Sequence, residues 1–415
     1  MPGFEDKLKE IQDKLSAQVE KHRQDVERAK AELIGQPASR PPTSHFSPPI
    51  STPRTLSLPK TGYLNELDEV AEDYFHFEKW LGGKLNDYPI IYCETLEEYY
   101  QPFIELLPVS GTSQQAILEE LRSKAKADAE QSGGGGEFGV HWPGRGCYLN
   151  GWLFAYNKAS SPMAARQDPQ ILPSILATAA HEKFGHGFIT ECTAWGQEKK
   201  SIQLWRYDIA QRFNLQLTDT PREALLSQKW NIIFSSSKFC EEGCATWIER
   251  FLLRRLQETG SPGGPDFAVA DRGYNLDGVM DSFRKMAAGA GDATVKEVIQ
   301  KVVADLEILF GTSPTTPETI LEIMTELSLF DDMFSTDMAK TFGQPFRYVL
   351  GYLLLEKIAK HWGEFCVPYA VLLATNITYG IDTLPVADLE LLVQQDSRLN
   401  IDARLALLTF LPGEK

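Results

Sequence analysis

Two of the chain's seven histidines stand close together behind an apolar run. The segment reads Ala179-Ala180-His181-Glu182-Lys183-Phe184-Gly185-His186-Gly187, and it follows the helical stretch from Ile171 to Ala180. Two imidazoles on one helix can bind a metal. A Glu directly after the first can reach a water at that metal and take its proton. The usual spacing for this chemistry is H-E-x-x-H, with the histidines four apart. Here they are five apart. Four residues turn an α-helix by about 400°, so both imidazoles share a face, whereas five turn it by about 500° and swing the second roughly 100° away. A single π-type turn, closed by i+5 hydrogen bonds, would bring it back. Gly185 and Gly187 flank His186 and allow the helix to loosen there. The alternative is two partly buried histidines at a helix end.

A second cluster, Cys240-Glu241-Glu242-Gly243-Cys244-Ala245, lies downstream, with Glu242 56 residues after His186. In zinc peptidases with a Glu ligand, the third ligand comes from a separate helix, followed by small residues that allow close packing. Two His and one Glu leave a fourth position for water. Glu242 is preferred to Glu241 as that ligand because it directly precedes Gly243. Glu249, two turns on, could orient a ligand histidine; its alternative is a surface pair with Arg250 or Arg254. Cys240 and Cys244 read as buried thiols, since no second cysteine pair is near. A third cluster runs from Gly343 to Tyr352 and opens a helix, with Pro345 suited to its first turn. Tyr348 could donate its phenol to an oxyanion, with Tyr352 as the alternative and as a substrate contact. Arg347 could hold a substrate carboxylate or make a surface salt bridge. In a fourth segment, Gly139 to Gly151, a β-edge could take an extended substrate as an added strand. Arg145 and Asn150 are the candidate substrate contacts there, and His141 is a lesser candidate for a proton donor.

These four segments, in this order, resemble a bacterial, mostly helical family of zinc metallopeptidase-like proteins. That family carries R-P-G-x-F-Y-V-N, H-E-x-x-P-G-H-H, E-G-W-A and G-Q-x-x-x-Y-x-x-G. The counterparts are Arg145 to Asn150, His181 to His186, Glu242 to Ala245, and Gly343 to Gly351. More widely, the chain is similar to the Glu-zincin peptidases. The resemblance implies zinc on His181, His186 and Glu242, with Glu182 as general base and Tyr348 on the oxyanion. Its H-E-x-x-P-G-H-H motif is one residue shorter here, lacks the Pro and has Gly187 where a further His is usual, and Cys244 replaces a bulky residue. It covers about 45 residues of direct motif within roughly 140–360, and none of 1–130.

The elements that must position these residues are mainly helical. Helical spacing covers Leu64 to Leu81, Leu96 to Leu107, Gln114 to Ala129, and residues 170–190, 221–257, 294–310, 317–329, 345–363 and 386–410. Gly139 to Asn150 alternates aromatic and polar residues around Pro143 and Gly144, which suits a hairpin. Ser132 to Gly136 is a Gly-rich loop without the G-K-[ST] ending of a phosphate loop. The expected fold is mostly α, with a small antiparallel β element near 88–93 and 138–150. No repeat of fixed period and no βαβ alternation occurs.

Composition narrows the function. The chain has 415 residues, 43% hydrophobic and 24% charged, which is globular composition. Its net charge of −16 argues against a phosphate-backbone binder, so no nucleic-acid partner is expected. No apolar run reaches membrane-spanning length, and Met1 to Lys9 lacks a secretory h-region. Six irregularly spaced cysteines suit reduced thiols and a cytoplasmic setting. Residues 1–34 read as one amphipathic helix, docked on its own domain or forming a homodimer through residues 4–34. Residues 35–60 hold seven of the 24 prolines and read as a linker or strap, leaving 61–415 as a helical metallopeptidase-like domain. All four clusters follow residue 138, so residues 1–60 are expected to be dispensable for the site. The leading expectation is a zinc hydrolase acting on a peptide or peptide-like amide. The alternative is a metal-binding helical protein without peptidase activity, working as a partner-binding module. A purely structural metal site has no need of Glu182.

Overall fold

The computed structural model describes residues 88–106, 112–134, 136–193, 196, 221–259, 274–291, 293–311, 315–328, 346–379 and 386–408. The expected N-terminal helix, the Pro-rich segment and the helix at Leu64 to Leu81 lie outside the described residues. Cα packing divides the chain into two units. All described elements belong to the larger one (Leu56–Arg206 with Ser235–Lys415), except the start of one long helix, Pro221 to Phe234.

The fold is mostly α with one small sheet. Strand β1 (Ile90–Cys93) leads into α1 (Leu96–Leu106) and α2 (Thr112–Ser132). The hairpin β2 (Gly139–Trp142) and β3 (Gly146–Asn150) follows, then the short helices α3 (Gly151–Ala155) and α4 (Pro162–Gln167). The sheet order is β1-β3-β2. The hairpin is antiparallel as expected, with His141 opposite Cys147, while β1 joins β3 in parallel, Ile90 opposite Cys147. The sheet is therefore mixed. Among the described strands, β2 forms an edge.

Helix α5 (Leu172–Ala179) continues through a π turn (Ala180–His186) into α6 (Gly187–Cys192). Helix α7 (Pro221–Thr259) is the longest described. After it come α8 (Leu276–Gly289), α9 (Ala293–Gly311), α10 (Pro317–Ser328), α11 (Phe346–Trp362), α12 (Cys366–Tyr379), α13 (Val386–Gln395) and α14 (Ile401–Leu408). The expected single helix over 386–410 is two. Asp396 ends the first by accepting from the Tyr369 phenol at 2.7 Å and from Arg398, and Asn400 caps the second by accepting from Ala403 N–H at 2.7 Å. Helices α8 and α12 are additions. In α8, Val279, Met280, Phe283 and Ala287 are buried at helical spacing behind the Asn275 cap. In α12, Val367, Tyr369, Ala370, Val371, Leu372 and Leu373 are all buried, so no polar face marks a period. No described helix is long and apolar enough to cross a membrane.

Two close crossings set the spacing of the site's elements. A Cβ on Gly185 of the π turn would collide with Ala245 Cα on α7. A Cβ on Gly351 of α11 would stand 2.7 Å from Gly243 Cα, also on α7. Trp247 of α7 donates its indole N–H to Glu356 of α11 at 2.9 Å, which pins the second crossing. On the other side, buried Glu191 of α6 accepts from Gly144 N–H at 2.7 Å and from the Tyr88 phenol at 3.1 Å, and meets His141 Nε2 at 3.2 Å. This ties the hairpin to the histidine-bearing helix.

Gly351→Ala is expected to cost about 1–3 kcal/mol, the usual range for overpacking a tight contact. Gly289→Ala, whose Cβ would meet nothing within 4 Å, should leave stability little changed. Denaturant unfolding of both variants checks this, and a neutral Gly351→Ala would contradict the close crossing.

Candidate metal centre

The π turn answers the five-residue spacing. Gly187 N–H donates to Glu182 C=O, an i+5 bond. It returns His186 to the face of His181, and the two rings lie 4.9 Å apart between centroids, at 73°. His181, Glu182 and His186 each offer a ligand atom within 4.8 Å of the others.

Helix α7 faces this turn with Glu242. Its Oε2 lies 3.6 Å from His181 Nε2 and 3.3 Å from His186 Nε2. Two donors on a tetrahedral zinc with bonds of about 2.0–2.1 Å stand about 3.3–3.4 Å apart. The spacing therefore suits an ion between them. Oε2 is enclosed, and among the described residues it accepts no hydrogen bond. A buried carboxylate oxygen without a donor costs stability unless something else satisfies it, and a cation would. The opposite edges of both rings are also held. His181 Nδ1 meets Glu249 Oε2 at 3.1 Å, and His186 Nδ1 lies 3.6 Å from Glu241 Oε1. Carboxylates behind both imidazoles turn each Nε2 inward and raise its basicity. The donor set fits zinc, with His181, His186 and Glu242 as the residues that could hold it.

Four carboxylates thus surround two imidazoles: Glu182, Glu241, Glu242 and Glu249. Burial opposes charge on His181, but Glu242 and Glu249 outweigh it and lift its pKa to about 9. His186 is likewise lifted well above the ordinary range, against burial, by Glu242 and Glu241. Burial would raise Glu242, yet the His186 charge and both histidine contacts hold it well below the usual carboxylate range. The cage draws positive charge, as protons or as a metal.

Tyr348 of α11 stacks on His181 at 5.6 Å between ring centroids and an interplanar angle of 6°. Burial, and then the Glu242 charge, keep its phenol protonated well above its ordinary range. Arg347 turns into the site as well, its Nε 3.6 Å from Glu242 Oε1. Tyr352, one turn on, packs away from these groups, against Tyr274 and the Arg250 guanidinium. Arg145 pairs with Glu105 at 2.9 Å on the hairpin turn. Asn150 is buried and caps α3, accepting from Leu153 N–H at 3.1 Å and donating to Glu137 C=O at 3.2 Å. It is a scaffold residue in place of the expected substrate contact. His141 is enclosed against Glu191. Glu249 is the histidine partner rather than a surface acid, and Arg254 pairs with Glu356 and Glu364 instead. Edge strand β2 passes beside Glu182, where a Cβ on Gly139 would stand 2.8 Å from Glu182 Cγ.

The Glu241–His186 and Arg347–Glu242 contacts were not foreseeable as pairs. Adjacency to Glu242 and to Tyr348 was the only local sign. No protein-family model, curated protein or solved structure matches the chain.

Metal-free protein at pH 7 is expected to hold protons on both imidazoles, because a pKa lifted to about 9 leaves His181 charged there and His186 is shifted the same way. Zinc takes only neutral imidazole, so uptake at pH 7 should release about two protons per ion. The release should shrink as the pH rises through about 9, where His181 loses its proton unaided. Titration calorimetry in buffers of different ionisation enthalpy measures it, and uptake without proton release at pH 7 would contradict the cage.

Proposed function

We propose that the chain is a zinc-dependent hydrolase that cleaves a peptide or peptide-like amide bond. One observation carries the reading: both imidazole Nε2 atoms face one undonated oxygen of Glu242, while carboxylates hold their Nδ1 atoms from behind. When bound, the metal would polarise the substrate carbonyl and acidify a water. The remaining roles belong to the protein. Glu182, directly after His181 and next to the edge strand, takes the proton from the attacking water and can pass it to the leaving amine. Tyr348 remains a phenol at neutral pH and donates to the oxygen that gains charge. Strand β2 gives an extended substrate a backbone to pair with beside Glu182. The likeness to Glu-zincin peptidases supports the same class. The cytoplasmic setting is supported by six cysteines that are all free thiols.

Glu182 is what separates this reading from a metal site without catalysis. Glu182→Gln is nearly isosteric and is expected to keep zinc while losing about 10²–10⁴ in hydrolysis rate. Tyr348→Phe should lower turnover about 10²-fold with little change in KM. Metal analysis and cleavage of a mixed peptide library measure both. Cleavage that survives Glu182→Gln at the wild-type rate would remove the mechanism.

A further inference from the structure

We propose that Arg347 fixes Glu242 as a one-oxygen ligand, by pairing with Oε1 and reserving Oε2 for the metal. The inference rests on the metal-centre reading above and adds a positioning residue to it.

A carboxylate has two chemically equal oxygens, and a free one can turn both towards a cation. The two oxygens of Glu242 have unequal surroundings. Oε2 faces His186 Nε2 at 3.3 Å and His181 Nε2 at 3.6 Å and accepts no hydrogen bond among the described residues. Oε1 faces the Nε of Arg347 at 3.6 Å. The guanidinium is always charged, so at this distance it places a fixed positive charge beside Oε1. Its place is set twice over. Its Cζ lies 5.6 Å from the ring centroid of Tyr348, the next residue on α11. Helix α11 is itself held against α7 at Gly351 and Gly243, and Gly243 is the residue after Glu242. The close crossing that brings Tyr348 to the site therefore also brings Arg347 to Oε1. The G-Q-x-x-x-Y-x-x-G motif leaves position 347 open, so the assignment comes from the distances and the chemistry of guanidinium.

With Oε1 engaged, the protein supplies two nitrogens and one oxygen, and a four-coordinate ion keeps one position for water. Without Arg347 the carboxylate can rotate to present both oxygens and raise the coordination number.

Cobalt(II) in place of zinc reports this directly, because its visible d–d bands are intense in four-coordinate sites and weak in five-coordinate ones. Full-length wild type loaded with cobalt is expected to show intense bands. Arg347→Gln is expected to lower them several-fold. Arg347→Met, which keeps the aliphatic stem against Tyr348, should do the same and carries the test if the Gln variant does not fold. Wild-type intensity in the folded variants would overturn the proposal. Weak bands in the wild type would overturn it while leaving the metal centre in place. No cobalt uptake by the wild type would remove the proposal and the metal-centre reading together.

Discussion

Two imidazoles five residues apart cannot share a face of an α-helix, and the rest of the site depends on how the backbone meets that constraint. The π turn at Ala180–His186 widens the helix by one residue and brings His186 beside His181. Only then can one oxygen on a neighbouring helix face both rings. The local distortion is supported from both sides, by Ala245 packed on Gly185 and by Glu191 tying the following helix to the hairpin. A π turn placed where the chemistry is proposed is a local departure from regular structure held by its surroundings.

The second constraint is distance between helices. Glu242, Glu241 and Glu249 reach the histidines because α7 lies close against the π turn where Ala245 meets Gly185. Tyr348 and Arg347 reach the same place because Gly243 and Gly351 let α11 approach α7 to backbone contact. The small residues around the acidic and aromatic motifs are thus spacers. They convert helix packing into positions of side chains that would drift apart if either helix moved outward. The charge pattern follows from the same packing: four acids converge on two bases, the carboxylates lift both histidines, and the His186 charge with both histidine contacts lowers Glu242.

Much of this was legible in the chain, for identifiable reasons. The His181, Glu182 and His186 spacing raised the question that a π turn answers, and Gly243 singled out Glu242 over Glu241. The helices with one apolar stripe, such as α1 and α10, carry their period in the sequence. Helix α12 does not, because its residues from Cys366 to Leu373 are all buried and show no stripe. The parallel pairing of β1 with β3 depends on a partner more than fifty residues away, so nothing local encodes it. Asn150, expected as a substrate contact, instead caps α3, a five-residue helix too short to show a period in the sequence. Arg347 illustrates the opposite case. Its pairing with Glu242 requires the crossing of α7 and α11, which no run of residues records.

The central claim is that two histidines and one carboxylate oxygen hold a zinc ion, and zinc-edge X-ray absorption of the purified full-length protein tests it most directly. The account predicts only nitrogen and oxygen neighbours at about 2.0–2.1 Å, with outer scattering from two imidazoles. A sulfur neighbour at about 2.3 Å, pointing to Cys240 or Cys244, or protein that takes up no zinc, would contradict it.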